Sequence, residues 1–248
     1  RGQRLLSASA GSVCPPAYRA PTMRILIAGY SYEDSFADNV RCALEELGHE
    51  VQTLGDAGHA SHHSPWRYVA RAVAERIHKG ALSGDERRLI RLAREFKPQV
   101  VLGLTREFAP EALADLTRIS SPVKVLWWGD PPANARRWAF MDPQWDLVFL
   151  KDMAAVKKIR LVRGDVYLLH EAMNPRWHRS LSPQENNRVV VAGNCYPFRQ
   201  ALVNRLMKDG VSMELYGPRP PLWSLPAVRA IHSGRYIVRE EKSRIFGA

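Results

Sequence analysis

The chain has 248 residues, 46% hydrophobic and 25% charged, with a formal net charge of +11. That composition suits one large globular domain or two smaller ones, and no apolar run approaches the roughly 18 residues that a membrane-spanning helix needs. Three cysteines, Cys14, Cys42 and Cys195, lie far apart without a CxxC pair, which argues against a disulfide framework or a structural zinc site and fits a reducing cytoplasm.

Residues 1–22 mix Ser, Ala, Pro and Gly with no apolar core for a secretory signal, and read as a disordered leader. Met23 to Ala28 is a short apolar run of β-formers, a strand that Gly29 follows. From Asp34 to Leu47 the residues Phe36, Val40, Ala43, Leu44 and Leu47 share one helical face, and Gly48 stops the helix. His49 to Leu54 reads as a second strand, completing a β-α-β unit of the kind that builds parallel sheets. A Gly- and His-rich loop, 55–65, leads into two basic amphipathic helices near Trp66–Lys79 and Asp85–Phe96. Then come a strand at Val100–Leu104, a helix at Pro110–Ile119, and a strand at Val123–Trp128 ending in Gly129-Asp130-Pro131-Pro132. A strand at Asp146–Leu150, a helix at Met153–Leu161 and a strand at Val166–Leu169 finish this half. Near-continuous apolar strands between helices mean a sheet covered on both faces.

Residues 170–187 contain Pro175, Pro183 and many polar side chains without periodicity, and read as a connection between domains. The alternation then restarts: strand Arg188–Ala192, a turn at Gly193, helix Phe198–Lys208, strand Val211–Tyr216, a loop over 217–221, a short strand Tyr236–Val238 and a helix Glu240–Phe246. The expected fold class is α/β, two Rossmann-type domains with parallel sheets at 23–169 and 188–248. The second is expected to be incomplete, with about three strands where a doubly wound sheet has about six.

The basic excess admits three readings: nucleic acid, an anionic membrane surface, or a phosphorylated ligand. Arg71, Arg76, Lys79, Arg87, Arg88, Arg91 and Arg94 are spread out, with no run of five or six like charges and no nucleic-acid motif. Solvated helix faces are therefore expected, with peripheral attraction to anionic lipid or polyanionic glycan second and no nucleic-acid partner.

Several motifs, in this order and spacing, resemble a known family. Met23 to Gly29 looks like the opening strand of a two-domain GT-B glycosyltransferase. Trp127-Trp-Gly-Asp-Pro-Pro132 is similar to a Trp- and Asp-containing loop of CgeB-like spore-maturation proteins, a glycosyltransferase family. His170 to His178 resembles that family's interdomain segment, Val190 to Arg199 the opening of its second domain, and Ser233 to Phe246 the segment leading to its donor pocket. The resemblance implies a GT-B-like fold and transfer of sugar from a nucleotide-sugar donor to a glycan or small-molecule acceptor, with a cell-surface or polymer glycan preferred. It implies a nucleotide sugar as substrate and no separate cofactor or metal. It also implies a chain that stops before the family's sugar and ribose contacts, so that the fragment alone is expected to be inactive and loosely held in its C-terminal part. Two alternatives keep the same fold, a non-catalytic sugar-nucleotide-binding module and a sugar-nucleotide epimerase. The setting expected is cytoplasmic, with contact at a membrane surface as an option.

A glycosyltransferase must stabilise the charge on a leaving diphosphate, which amides at a helix N-terminus and a nearby Arg can do. Gly193-Asn194-Cys195-Tyr196-Pro197-Phe198-Arg199 has that layout, with Pro197 suited to a first helical turn. The plainer reading is an ordinary strand-to-helix turn with a surface arginine. Tyr216 and Gly217 follow the next strand, where a base or ribose could lie, or where a tight turn simply leads into a Pro-rich loop. Glu240, Glu241 and Lys242 open a helix as possible donor contacts, although acidic residues suit a helix N-terminus with no ligand at all. On the acceptor side, Asp130 and Asp34 are the catalytic candidates, either as general base or as a hydrogen-bond partner for a hydroxyl. Asp-Pro-Pro is also a strong turn signal. Trp127 and Trp128 point to opposite faces of their strand, one to the core and the other towards a possible sugar or base. His59, His62 and His63 lack a carboxylate partner and helical spacing, so an exposed loop is expected rather than a metal site. His170 and Glu171 lie at the hinge. GxSxG, HExxH, Walker A and GxGxxG are all missing.

Overall fold

A computed structural model describes residues 21–55, 82–135, 139–171, 173–179 and 188–246. The leader over 1–20, the His59–His63 loop, the helix expected near 66–79 and most of the connection at 180–187 lie outside the described residues.

The fold is α/β. Strands β1 (Arg24–Ala28), β2 (Glu50–Thr53), β3 (Val100–Leu104), β4 (Val123–Trp128), β5 (Leu147–Leu150) and β6 (Val166–Leu168) form one sheet in the order β2-β1-β3-β4-β5-β6. Every adjacent pair is parallel. The helices that cover it are α1 (Phe36–Glu46), α2 (Gly84–Phe96), α3 (Pro110–Ser120) and α4 (Met153–Ile159). Side chains alternate across each strand. Leu26, Val101, Leu126, Val148 and Val166 therefore meet α2, α3 and α4 on one face, whereas Ile25, Ile27 and Leu104 meet Ala37 of α1 on the other. Trp145 is fully buried at this level, and a Cβ on Gly103 would sit 2.7 Å from its ring. A larger residue at 103 would therefore displace the indole. The two tryptophans of β4 point to opposite faces: Trp128 is buried in one core cluster, and Trp127 packs against the other, edge-on to Phe36 with ring centroids 4.7 Å apart.

Local chemistry fixes the helix ends. Ser83 caps α2 in a reciprocal box: its Oγ accepts from the Glu86 amide at 3.2 Å, and Glu86 accepts from the Ser83 amide at 2.6 Å. The second Glu86 oxygen accepts from the Ala109 amide at 2.6 Å, tying the start of α2 to the start of α3. Ser83→Ala should lower stability by about 1 kcal/mol. Urea unfolding measures this, and a loss below a few tenths would mean that Glu86 holds the helix start alone.

A second, separate sheet pairs β7 (Val189–Ala192) with β8 (Met213–Tyr216), again in parallel. The helices that follow in this half are α5 (Pro197–Lys208), α6 (Pro226–Ala230) and α7 (Arg239–Phe246). Its small core joins Cys195, Val203, Met213, Leu215 and Val228. One expectation fails here: Tyr236–Val238 is not a strand. Instead, residues 231–235 run beside β8 through Leu215 N–H to Ile231 O, Ser233 N–H to Leu215 O and Gly217 N–H to Arg235 O. Gly234, at φ +75°, turns the chain out of the extended form before Ile237, which is buried without a ladder. Among the described residues no helix is long and apolar enough to cross a membrane.

Candidate functional site

The order of the larger sheet places β1 between β2 and β3, with α1 on one face and α2 on the other. Successive connections therefore leave in opposite directions at the carboxyl ends of β1 and β3, where open α/β sheets form their ligand crevice. Gly29 opens this crevice; a Cβ there would lie 2.9 Å from that of Leu104. On the β3 side, buried Arg106 pairs with Asp85 and lies over the Tyr30 ring, 5.0 Å from its centroid.

The loop from β1 to α1 gathers charge. Ser35 caps α1, its Oγ accepting from the amides of Asp38 and Tyr32 at 3.1 and 3.2 Å. Asp34 stands just before the cap in the left-handed region, at φ +60°, and its carboxylate is buried, with 2% of the side chain exposed. Oδ1 accepts from His178 Nε2 at 2.9 Å and Asn39 Nδ2 at 3.2 Å. Oδ2 accepts from the Arg239 amide at 3.2 Å and from Lys242 Nζ. Burial opposes ionisation of Asp34, yet the bonds from Lys242, Asn39, His178 and Arg239 outweigh it and hold its carboxyl at about 2. Asp38, one turn on, accepts from Arg41 at 2.8 Å and from the Arg239 guanidinium at 3.0 Å. Burial again opposes ionisation, and the two arginines pull its carboxyl below the ordinary range. The C-terminal helix α7 is thus docked on the first loop of the chain. Arg239 also stacks over Trp177, 4.9 Å from the ring centroid, and Ser243 Oγ donates to the Trp177 carbonyl at 2.5 Å.

A cavity of about 540 Å³ opens beside this network, lined by residues of α1, of segment 171–179 and of α7. His178 lines it, with 9% of its side chain exposed. Glu171 also lines it, pairs with Lys151 at 3.5 Å, and lies where a Cβ on Gly129 would have to go.

The turn from β7 to α5 is built from glycine. Gly193 and Gly217 have φ of +129° and +127°, and a Cβ on Gly217 would lie 2.8 Å from the Gly193 carbonyl oxygen. The two turns therefore pack backbone on backbone at the start of α5. Arg199, in the first turn of α5, donates to the Asn194 carbonyl at 2.6 Å, and Asn194 Nδ2 donates to the Tyr196 hydroxyl at 2.9 Å. Tyr196 also reaches the first loop electrostatically. Burial pushes the Tyr32 hydroxyl up, and Tyr196 and Asp34 add to the effect. Tyr236 is raised likewise, by burial first and then by Tyr32, Asp34 and Glu33.

The expected site residues fall into two groups. Gly193, Asn194, Arg199, Tyr216 and Gly217 gather at the ends of β7 and β8, although Tyr216 is buried. Lys242 belongs instead with Asp34, and Glu241 pairs with Arg235. Asp130 is exposed beyond β4 and does not line the cavity. Each oxygen of the Asp34 carboxylate accepts two hydrogen bonds. Sequence reasoning passed over His178 because its partner lies 144 residues away. Its only local signal was its place at the end of the 170–178 motif. Among the described residues no group of three or more His, Cys, Asp or Glu side chains is placed to hold a metal ion.

No family model matches the chain, and no curated relative was found. Among solved structures it is similar to a Listeria monocytogenes protein assigned as a UDP-N-acetylglucosamine 2-epimerase, at 10% identity and a TM-score of 0.47, over 91% of this chain and 71% of that one. It is also similar to the glycosyltransferase SnogD from Streptomyces nogalater, at 18% identity and a TM-score of 0.35, over 83% of this chain and 71% of that one. At these identities and scores the likenesses carry no argument about activity.

Proposed function

We propose that this chain carries the cleft of a sugar-nucleotide-dependent glycosyltransferase of the GT-B type. In this reading the β7–α5 turn receives the donor diphosphate and the Asp34 side receives the acceptor. The observation that carries it is the presence, in one chain, of two strand–loop–helix units of complementary chemistry. One has a glycine-built turn, a helix N-terminus and an arginine. The other has a buried carboxylate holding a histidine at the edge of a cavity. The first arrangement suits an anion whose charge grows as a bond breaks. The second suits orientation of a proton acceptor. The motif resemblance to CgeB-like proteins supports the same reading.

Arg199 is the residue that tests it. A guanidinium does not titrate away and can bond two phosphate oxygens at once. Losing such a contact costs on the order of 1.5–3 kcal/mol, so Arg199→Ala should raise the dissociation constant of a nucleoside diphosphate by roughly one to two decades. Calorimetric titration of wild type and variant, with circular dichroism to check folding, gives the answer. Affinities within about twofold would remove the diphosphate from this turn.

A further inference from the structure

We propose that the end of the larger sheet opposite the ligand crevice docks on an anionic lipid bilayer, with Leu161 and Val162 entering the headgroup region and Lys157 and Lys158 meeting its negative surface. The proposal is independent of the glycosyltransferase reading, since it concerns where the chain sits and not what it transfers.

All strands of the larger sheet are parallel, so the connections from helix to strand lie at their amino ends, away from the crevice. In the connection from α4 to β6, Leu161 and Val162 are 84% and 71% exposed. Leu47 after α1 and Val123 at the start of β4 are exposed at the same end. The turn that carries Leu161 and Val162 is braced. The amides of Val162 and Arg163 both donate to the Ile159 carbonyl at 3.0 Å. Arg163 ties the turn to the body: Nη1 donates to the carbonyls of Phe140 and Asp142 at 3.1 and 2.6 Å, and Nε donates to Asp165 at 2.7 Å. A fixed backbone therefore holds two neighbouring aliphatic side chains out in water, where covering them is favourable.

Charge selects what covers them. Lys157, Lys158 and Arg160 are exposed and have no acidic partner among the described residues. Arg160 lies over the Tyr167 ring, 5.3 Å from its centroid. Asp165 is taken by Arg163, and Asp146, before β5, by Lys124 at 3.4 Å. Lysines in a last helical turn suit the helix dipole with no ligand at all, yet the dipole gives no reason for the bare aliphatics beyond them. A polyanionic glycan would engage the lysines and leave Leu161 and Val162 in water. An anionic bilayer satisfies both, because apolar side chains enter its interface while cations meet its surface. Helix α2 offers a contrast: Arg87, Arg91 and Arg94 are exposed, but its Leu89, Ile90 and Phe96 are buried. That face has charge without an apolar tip.

Flotation with vesicles tests the proposal, using phosphatidylcholine alone and phosphatidylcholine with about 30% phosphatidylserine. Wild type should bind the anionic vesicles and not the neutral ones. Each lysine near such a surface strengthens binding about fivefold, so Lys157→Gln/Lys158→Gln should weaken it roughly ten- to thirtyfold. Leu161→Ser/Val162→Ser should weaken it at least about tenfold. Arg87→Gln/Arg91→Gln/Arg94→Gln should stay within about threefold of wild type, because salt screens charges far from the contact. All these substitutions fall on exposed side chains, and circular dichroism checks that each variant folds. No binding by wild type, equal binding to both vesicles, or unchanged binding by the serine variant would overturn the proposal. So would a larger loss in the α2 variant than in the other two. A wild-type dimer in light scattering that the serine variant dissolves would give the patch to a second copy of the chain instead.

Discussion

Asp34→Ala is expected to lower the unfolding free energy by about 3 kcal/mol, because removing one partner of a buried ion pair leaves the other without compensation. The substitution strips Lys242, His178 and the Arg239 amide of their common acceptor. The pH dependence gives a second reading of the same group. The Asp34 carboxyl lies at about 2 in the folded protein against an ordinary 3.8. A depressed value means stability that is present above about 3.8 and lost as pH falls through about 2. Linkage puts that contribution on the order of 2 kcal/mol. Urea unfolding at pH 7 and at successive points between 4 and 2 should show wild type losing this increment while Asp34→Asn stays flatter. A loss below about 0.5 kcal/mol in Asp34→Ala at pH 7 would mean that α7 is held by packing alone.

Gly217→Ala should destabilise the smaller sheet by about 3 kcal/mol, and Gly193→Ala by about 1 to 2 kcal/mol. Both glycines sit in the left-handed half of φ space, so both substitutions carry conformational strain. They differ in what a methyl group would meet. At Gly217 it meets the Gly193 oxygen at 2.8 Å and nitrogen at 3.0 Å, backbone atoms that cannot turn aside. At Gly193 it meets Arg199 Nη1 at 2.8 Å, the far end of a flexible side chain. Hydrogen exchange of the Val191 and Leu215 amides, compared across the two variants, reads the effect within this sheet. An equal or reversed order would show that strain alone decides the cost, with no part for the backbone contact.

The larger sheet is legible in sequence because most of its strands are apolar runs between amphipathic helices, with β2, Glu50-Val-Gln-Thr53, the exception. Several boundaries shift by a residue or two, and at two of them a local device is visible. The helix expected from Asp34 begins at Phe36, since Asp34 takes a left-handed conformation and Ser35 turns its hydroxyl back on the helix amides. The helix expected to reach Leu161 ends at Ile159, and Arg160 there turns its Nε to the Val166 carbonyl at 2.7 Å. Helix α6 escapes notice because it is only five residues long and opens at Pro226. The glycine turn after β7 is visible, since glycine next to a strand end and proline at a helix start are local signals. The Asp34 network is not: its members come from the first loop, the 174–178 segment and α7, and no local rule links positions so far apart. Pattern reasoning finds elements, whereas the pairing of buried charges depends on how the elements are finally arranged.

That separation in sequence sets an order of events during synthesis. Lys242 follows Asp34 by 208 positions, and Arg239 follows Asp38 by 201. At roughly 5 to 20 residues per second a ribosome needs on the order of 10 to 40 s to add that length. For that interval Asp38 has Arg41 and Asp34 has Asn39 as near partners, while their bonds to α7 wait. The docking of α7 on the first loop is thus among the last contacts that the nascent chain can make.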